Sequence, residues 1–391
     1  MELIRGPWRQ VRLMTRRIGR PYLTWRERRQ YHPSFEPYQV RGHMPRPGAP
    51  RVLHAIASFG IGGSGQLIVD LVEGLGESID QHVIVCSLPR VRAYAGIKAE
   101  EYRYLTSPRP IVRAIERLRP DVIHLHNIAD HREPWLESYE WYLHVLAAAE
   151  TTGIPVVENV NIPTEPFRSA AVAEYVYVSN YVRELYARQG ERATVIYPGS
   201  DLNLFRRPGG SRRAGGVLGL VYRLEDDKLN EAAILPMIRV LQQREWAEGL
   251  VVGGGGYLTE FRRRAKLAGV SDRVRFTRYV PYRQLRSLYQ EMALFVAPVH
   301  SESFGQVSVF AMGMELPVAG YDVGALGEIL GDPDVLAPQG EFETLAAILI
   351  ELLEDRARAN AIGRRNRLVA EEKFSVQAMV QRYASLYGAV A

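Results

Sequence analysis

RVLHAIASFGIGGSGQLIVDLVEGLG, residues 51–76, decides the fold. Its first nine residues are a short apolar run suited to a strand buried on both faces of a parallel sheet. GIGGSG (60–65) is a glycine turn, and QLIVDLVEGLG repeats its apolar residues at helical spacing. Strand, glycine loop and helix in that order make the first unit of a doubly wound α/β sheet. Gly60, Gly62 and Gly65 also satisfy G-x-G-x-x-G in this context, where a ligand can approach backbone amides at a helix N-terminus. The dinucleotide form of that motif expects an acid closing the second strand. VIVCSLPR (83–90) offers Cys86 and Ser87 there, so an NAD-dependent oxidoreductase is only a minor alternative.

The alternation continues outward from this unit. QHVIVCSL (81–88), DVIHLHN (121–127), IPVVENV (154–160), YVYVS (175–179) and ATVIYPG (193–199) read as strands. A second unit opens near Gly215, with GVLGLVYRL (216–224), EGLVVGGGG (248–256), RVRFTRYV (273–280), ALFVAPV (293–299) and LPVAGYD (316–322). Between them PGSDLNLFRRPGGSRRAGG (198–216), rich in Gly, Pro and Arg, reads as a hinge. The expected architecture is α/β, with two Rossmann-like domains facing across a cleft. Expected boundaries are a basic tail at 1–50, a first domain at 51–205, a second at 206–375 and a last helix at 376–391.

The chain has 391 residues and a formal net charge of +5. That charge is localised: residues 1–50 hold eleven arginines against three acids, and the other 341 carry slightly more acids than bases. Within the tail Ile4, Trp8, Val11, Met14 and Ile18 recur at helical spacing beside Arg5, Arg9, Arg12, Arg16 and Arg20. A basic amphipathic helix over 4–20 suits an anionic membrane surface, with docking on its own domain the competing reading. The tail lacks the aromatic spacing of a single-strand binder, so no nucleic-acid partner is expected. No apolar run approaches the ~18 residues of a membrane span, and no signal-peptide core is evident. The lone Cys86 excludes an internal disulfide and a cysteine zinc site. A cytoplasmic protein, peripheral on the membrane through its tail, is the expectation.

PVHSESFGQVSVFAMGMELPVAGYDVGALGEIL (298–330) carries a resemblance. Pro298, Glu302, Phe304, Gly305, Ala311, Met312, Pro317, Val318, Gly324 and Glu328 stand in register with the pattern of the retaining GT-B glycosyltransferases of family 4. SNYVRELY (179–186), YPGSDLNLF (197–205), VYRLEDDK (221–228) and the glycine-ended strand at 251–256 follow in family order. The resemblance runs from about Arg51 to the C-terminus. It implies transfer of a sugar, with retention, from a nucleotide-sugar donor to a hydroxyl acceptor in cell-envelope glycan or natural-product synthesis. It implies no cofactor and no metal, and a last helix (FSVQAMVQRYASLYGAV, 374–390) that crosses back to the first domain.

Such a reaction must stabilise charge on a departing diphosphate. By resemblance Arg223 and Lys228 form the diphosphate pair; guanidinium fork and ammonium are complementary there. Lys228 is one of only four lysines. Glu302 is the expected contact to donor-sugar hydroxyls, with Ser303, Phe304, Gly305 and Gln306 at the adjoining helix start. Gly62, Gly63 and Gly254 complete the donor side. His126, closing a strand, is the expected catalytic histidine, ranked above His124. Asn127, Asp130, His131, Glu158 and Asn159 follow strand ends and are expected on the acceptor side. The chain departs from the family at Phe310, which stands where the family has a ribose-holding Glu, and at Tyr222 and Glu315, which replace glycines. These departures point to a dTDP-sugar or other altered donor, or to a non-catalytic scaffold as the alternative function.

Overall fold

The computed structural model describes residues 36–60, 62–89, 92–128, 137–208 and 215–391. The helix expected over 4–20, Asp130 and His131 lie outside them.

In the first lobe the chain runs β1 (Tyr38–Gln39), β2 (Arg51–Ser58), α1 (Gly63–Leu75), β3 (Asp80–Ser87), β4 (Tyr94–Ala95), β5 (Ala99–Glu101), α2 (Arg109–Leu118) and β6 (Val122–Asn127). It continues through α3 (Glu137–Thr152), β7 (Val156–Val160), β8 (Val172–Tyr177), α4 (Asn180–Tyr186) and β9 (Ala193–Val195). Seven strands pair in parallel in the order β5-β3-β2-β6-β7-β8-β9. Six consecutive residues of β2 are buried, as a central parallel strand demands. Strand alternation splits them: Leu53 and Ala55 pack with Trp141 and Tyr142 of α3, while Val52 packs with Leu67 and Leu71 of α1.

The second lobe repeats the plan with β10 (Gly216–Val221), α5 (Leu235–Gln243), β11 (Ala247–Val252), α6 (Leu258–Leu267), β12 (Val274–Phe276), α7 (Tyr282–Glu291) and β13 (Leu294–Ala297). Then come α8 (Gln306–Gly313), β14 (Val318–Tyr321), α9 (Leu326–Leu330), β15 (Leu336–Ala337), α10 (Phe342–Glu354), α11 (Arg356–Lys373) and α12 (Val376–Val390). Six strands pair in the order β12-β11-β10-β13-β14-β15. In each lobe the strand order reverses beside the first long strand, between β2 and β6 and between β10 and β13. Ligands in open parallel sheets bind outside the strand C-termini at such a reversal.

The chain crosses between lobes twice, side by side. Ser200 bridges Ser375 in parallel, with Ser200 N donating to Phe374 O at 2.8 Å and Val376 N to Ser200 O at 3.2 Å. Helix α12 then returns to the first lobe, burying Met379, Tyr383 and Tyr387 against Val52, Leu67 and Leu71.

Two expected boundaries shift. Part of the presumed tail belongs to the first lobe: β1 pairs with β4, Val40 is buried, and the Tyr38 hydroxyl donates to the Glu73 carboxylate at 3.1 Å. Phe205, expected at the end of the first lobe, is fully buried in the core of the second.

Candidate functional site

The loops leaving β10 and β13 build one wall of the cleft. After β10 the chain turns, with Leu229 N donating to Glu225 O at 3.0 Å, and fully buried Leu229 anchors the turn. This holds Lys228 so that its Nζ donates to Glu302 Oε1 at 2.6 Å. Glu302, in the loop after β13, is 4% exposed. Its backbone is clamped: Ala325 N donates to Glu302 O at 3.0 Å, and a Cβ on Gly324 (φ 60°) would stand 2.0 Å from that same oxygen. Only glycine fits there. Arg223 is half-exposed and pairs with Asp227. Gly305 adopts a left-handed φ of 99° and opens α8.

Between the lobes lies a cavity of about 280 Å³. The first turn of α1 and the first turn of α8 meet across it; a Cβ on Gly63 would lie 3.2 Å from Gln306 Oε1. Neither first turn carries an acid, so neither offsets the partial positive charge of its helix start. Gln306 Nε2 donates to Gly199 O at 3.2 Å, and Ser303 Oγ donates across the cleft to Asn161 O at 3.0 Å. Two helix N-termini, the Arg223 guanidinium paired with Asp227 and the Lys228 ammonium paired with Glu302 therefore border one cavity open to the cleft. Such an array takes an anion with several oxygens.

Gly62, Gly63, Arg223, Lys228, Glu302, Ser303, Phe304, Gly305, Gln306 and Phe310 all line this cavity. Other expected residues do not. Gly253 lines it rather than Gly254, whose carbonyl accepts from Leu224 N at 2.8 Å. His126 is fully buried, its ring turned into the lobe with Nε2 3.1 Å from His54 Nδ1 and its centroid 3.9 Å from that of His124. Burial, reinforced by the two neighbouring histidines, holds it well below an ordinary imidazole and thus neutral. A catalytic contact to a donor in the cleft does not fit this placement.

The acceptor-side residues within the described part also lie inside the lobe. Asn127 Nδ2 donates to Glu158 Oε1 at 2.9 Å, and Phe167 N donates to the same oxygen at 2.9 Å. Burial pushes the fully enclosed Glu158 carboxyl up to about 8. Asn159 points to the opposite layer, where its side-chain oxygen accepts from the Tyr383 hydroxyl.

Phe310 stacks on Phe205 with centroids 4.1 Å apart and planes 7° from parallel, and meets Tyr282 and Tyr289 edge-on. It is both cavity wall and core residue. Tyr222, singled out in the sequence as a departure, lines the cavity too; sequence reasoning missed Gln66, Tyr94, Asn161 and Tyr282, which also line it. One signal was legible: Gln66 and Asp70 interrupt an apolar helix four residues apart, and Gln66 Nε2 donates to Asp70 Oδ1 at 2.8 Å. Glu328 acts as a bolt between lobes. It accepts from Asn180 N (3.0 Å), Asn180 Nδ2 (2.7 Å), Tyr181 N (3.1 Å) and the Tyr197 hydroxyl (2.5 Å). Burial pushes its carboxyl up, but these donors outweigh it and hold the pKa below the usual range.

Two Rossmann-like lobes with a shared cleft at their strand C-termini are the GT-B arrangement. The Anabaena protein HepE, solved in complex with UDP, superposes with a TM-score of 0.71 at 18% identity, covering 87% of this chain and all of that one. Sequence models of "Glycosyltransferase Family 4" and "Glycosyl transferases group 1" match residues 61–204 and 217–355. The chain belongs to this group 1, family 4 line of glycosyltransferases. It is similar to the D-inositol 3-phosphate glycosyltransferase of Thermobispora bispora, 30% identical over 62% of this chain and 65% of that protein. The capsular polysaccharide biosynthesis glycosyltransferase CapM of Staphylococcus aureus is 34% identical over 26% of this chain and 27% of its own length. The chain thus spans less than two thirds of these relatives.

Proposed function

We propose that the protein transfers a sugar from a nucleoside-diphosphate sugar to a hydroxyl acceptor, with retention. The observation that carries this is the convergence of Arg223, Lys228 and the N-termini of α1 and α8 on one cavity. As the bond from the anomeric carbon to the diphosphate oxygen breaks, negative charge grows on the leaving group, and preorganised donors there lower the barrier. Lys228 and the α8 amides meet that charge directly. Glu302, held by Lys228, accepts hydrogen bonds from sugar hydroxyls. The acceptor hydroxyl attacks from the face the diphosphate leaves and gives its proton to a phosphate oxygen, so configuration is kept. These cations and amides carry the leaving group's charge without a metal. The acceptor belongs to envelope glycan or glycosylated natural-product synthesis, in keeping with the phosphoinositol and capsule relatives.

Phe310 shapes the choice of donor. An aromatic ring cannot accept from a ribose diol, so a dTDP-sugar, lacking the 2'-hydroxyl, loses least in this pocket. The same ring supports the second reading, a non-catalytic scaffold. Calorimetric titration with UDP, GDP and dTDP separates them: binding of a diphosphate, tightest for dTDP, is expected, and failure of all three in folded protein favours the scaffold. The membrane role of residues 4–20 is part of this proposal. Among the described residues no helix is long and apolar enough to cross a membrane. Deleting residues 1–34, which spares β1, should abolish pelleting with anionic liposomes and leave nucleotide binding unchanged; undiminished pelleting would refute the membrane role.

A further inference from the structure

Three imidazoles meet between the first sheet and its covering helices. His54 on β2 and His124 and His126 on β6 are fully buried, with ring centroids 3.9 to 5.4 Å apart. The register explains this: His54 pairs with His124, and Ile56 with His126, so all three side chains share one face. One ring nitrogen from each lies within 4.8 Å of the other two. Two outer nitrogens are already held. His54 Nε2 stands 3.1 Å from Gln81 Oε1, and His124 Nδ1 stands 2.6 Å from the Tyr387 hydroxyl. His124 Nε2 and His126 Nδ1 are buried with no partner. Buried polar atoms are almost always satisfied, so two orphans beside a His54 Nδ1–His126 Nε2 contact of 3.1 Å, which an ion would replace, call for an occupant.

We propose that His54, His124 and His126 bind one borderline divalent transition-metal ion of the zinc class. Three neutral nitrogen donors suit Zn²⁺, Ni²⁺ or Cu²⁺ and not the oxygen-seeking Ca²⁺ or Mg²⁺. Gln81 and Tyr387 stand where partners that fix the orientation of ligating histidines normally stand. Three protein ligands leave a fourth position for water, which loses a proton to solvent on binding and so halves the net charge left buried. Gln81, the partner of His54, also lines a hollow of about 360 Å³ with Asp80 and His82. None of the three histidines lines the cleft, so the expectation of a metal-free reaction is untouched. Through Tyr387 the ion steadies α12, the helix that returns from the second lobe. This inference does not rest on the proposed transferase activity.

The test uses the full chain, stripped with a chelator and dialysed. Titration with Co²⁺ should give one equivalent of visible ligand-field absorption, displaced by Zn²⁺, and a raised Tm. His126→Gln should abolish the absorption. Should that buried variant fail to fold, Gln81→Leu decides instead, weakening Co²⁺ binding by about 10–100-fold through the lost partner of His54. His82→Ala, at the surface beside Asp80, should leave binding unchanged. Folded wild-type protein that takes up no Co²⁺ overturns the proposal. So does absorption that survives in folded His126→Gln, is undiminished in Gln81→Leu, or is lost in His82→Ala.

Discussion

Glu158→Gln tests whether the acid inside the first lobe is held protonated. The side chain is fully buried on β7, with one oxygen accepting from Asn127 and Phe167 and the other without a partner. Burial carries its pKa from 4.5 to about 8. A carboxyl raised in the folded state binds its proton more tightly there than in the unfolded chain. Its contribution is therefore complete below pH 4.5 and is lost as pH rises through 8. At about 1.4 kcal/mol per pH unit, the loss between these limits is about 4 kcal/mol. Glutamine keeps the acceptor oxygen and cannot ionise, so the variant should lack this slope. Urea unfolding at a series of pH values gives the comparison. Wild type should lose stability relative to Glu158→Gln steadily across that interval. Parallel pH profiles for the two proteins would refute the placement of a neutral acid at this position.

Other outcomes follow from the cleft. Lys228→Met should weaken nucleoside-diphosphate binding by about 10–100-fold, the worth of a charge-assisted hydrogen bond, with Arg223→Ala smaller because that side chain is half-exposed. Calorimetry with UDP and dTDP reads both. Phe310→Glu should not simply restore a ribose contact. It would set a carboxylate against Phe205, Tyr282 and Tyr289, so thermal melts should show a loss of about 3 kcal/mol or more. Glu328→Ala strips the start of α4 of its acceptor and should cost about 1–3 kcal/mol, seen as a lower urea midpoint.

The lobes were legible because each begins with a pattern whose physics is local. An apolar run, a glycine turn and a helical repeat leave few alternatives, and the loops at the strand reversals follow from that order. The cations were legible for the same reason, since Arg223 and Lys228 sit just beyond the end of β10. What failed depended on distant partners. Strand alternation placed His124 and His126 on one face correctly, but the layer covering that face includes α12, from the far end of the chain. Phe310 read as a pocket residue, and it is one. Its stacking partner Phe205 lies in what read as a hinge, so nothing nearby announced its second role in the core.

The most direct test of the central claim is a crystal structure of the protein with a bound nucleoside diphosphate. The β-phosphate should lie in hydrogen-bonding reach of Lys228 Nζ, the Arg223 guanidinium and the backbone amides opening α8. A nucleotide whose phosphates sit elsewhere, with Lys228 still paired only to Glu302, would contradict it.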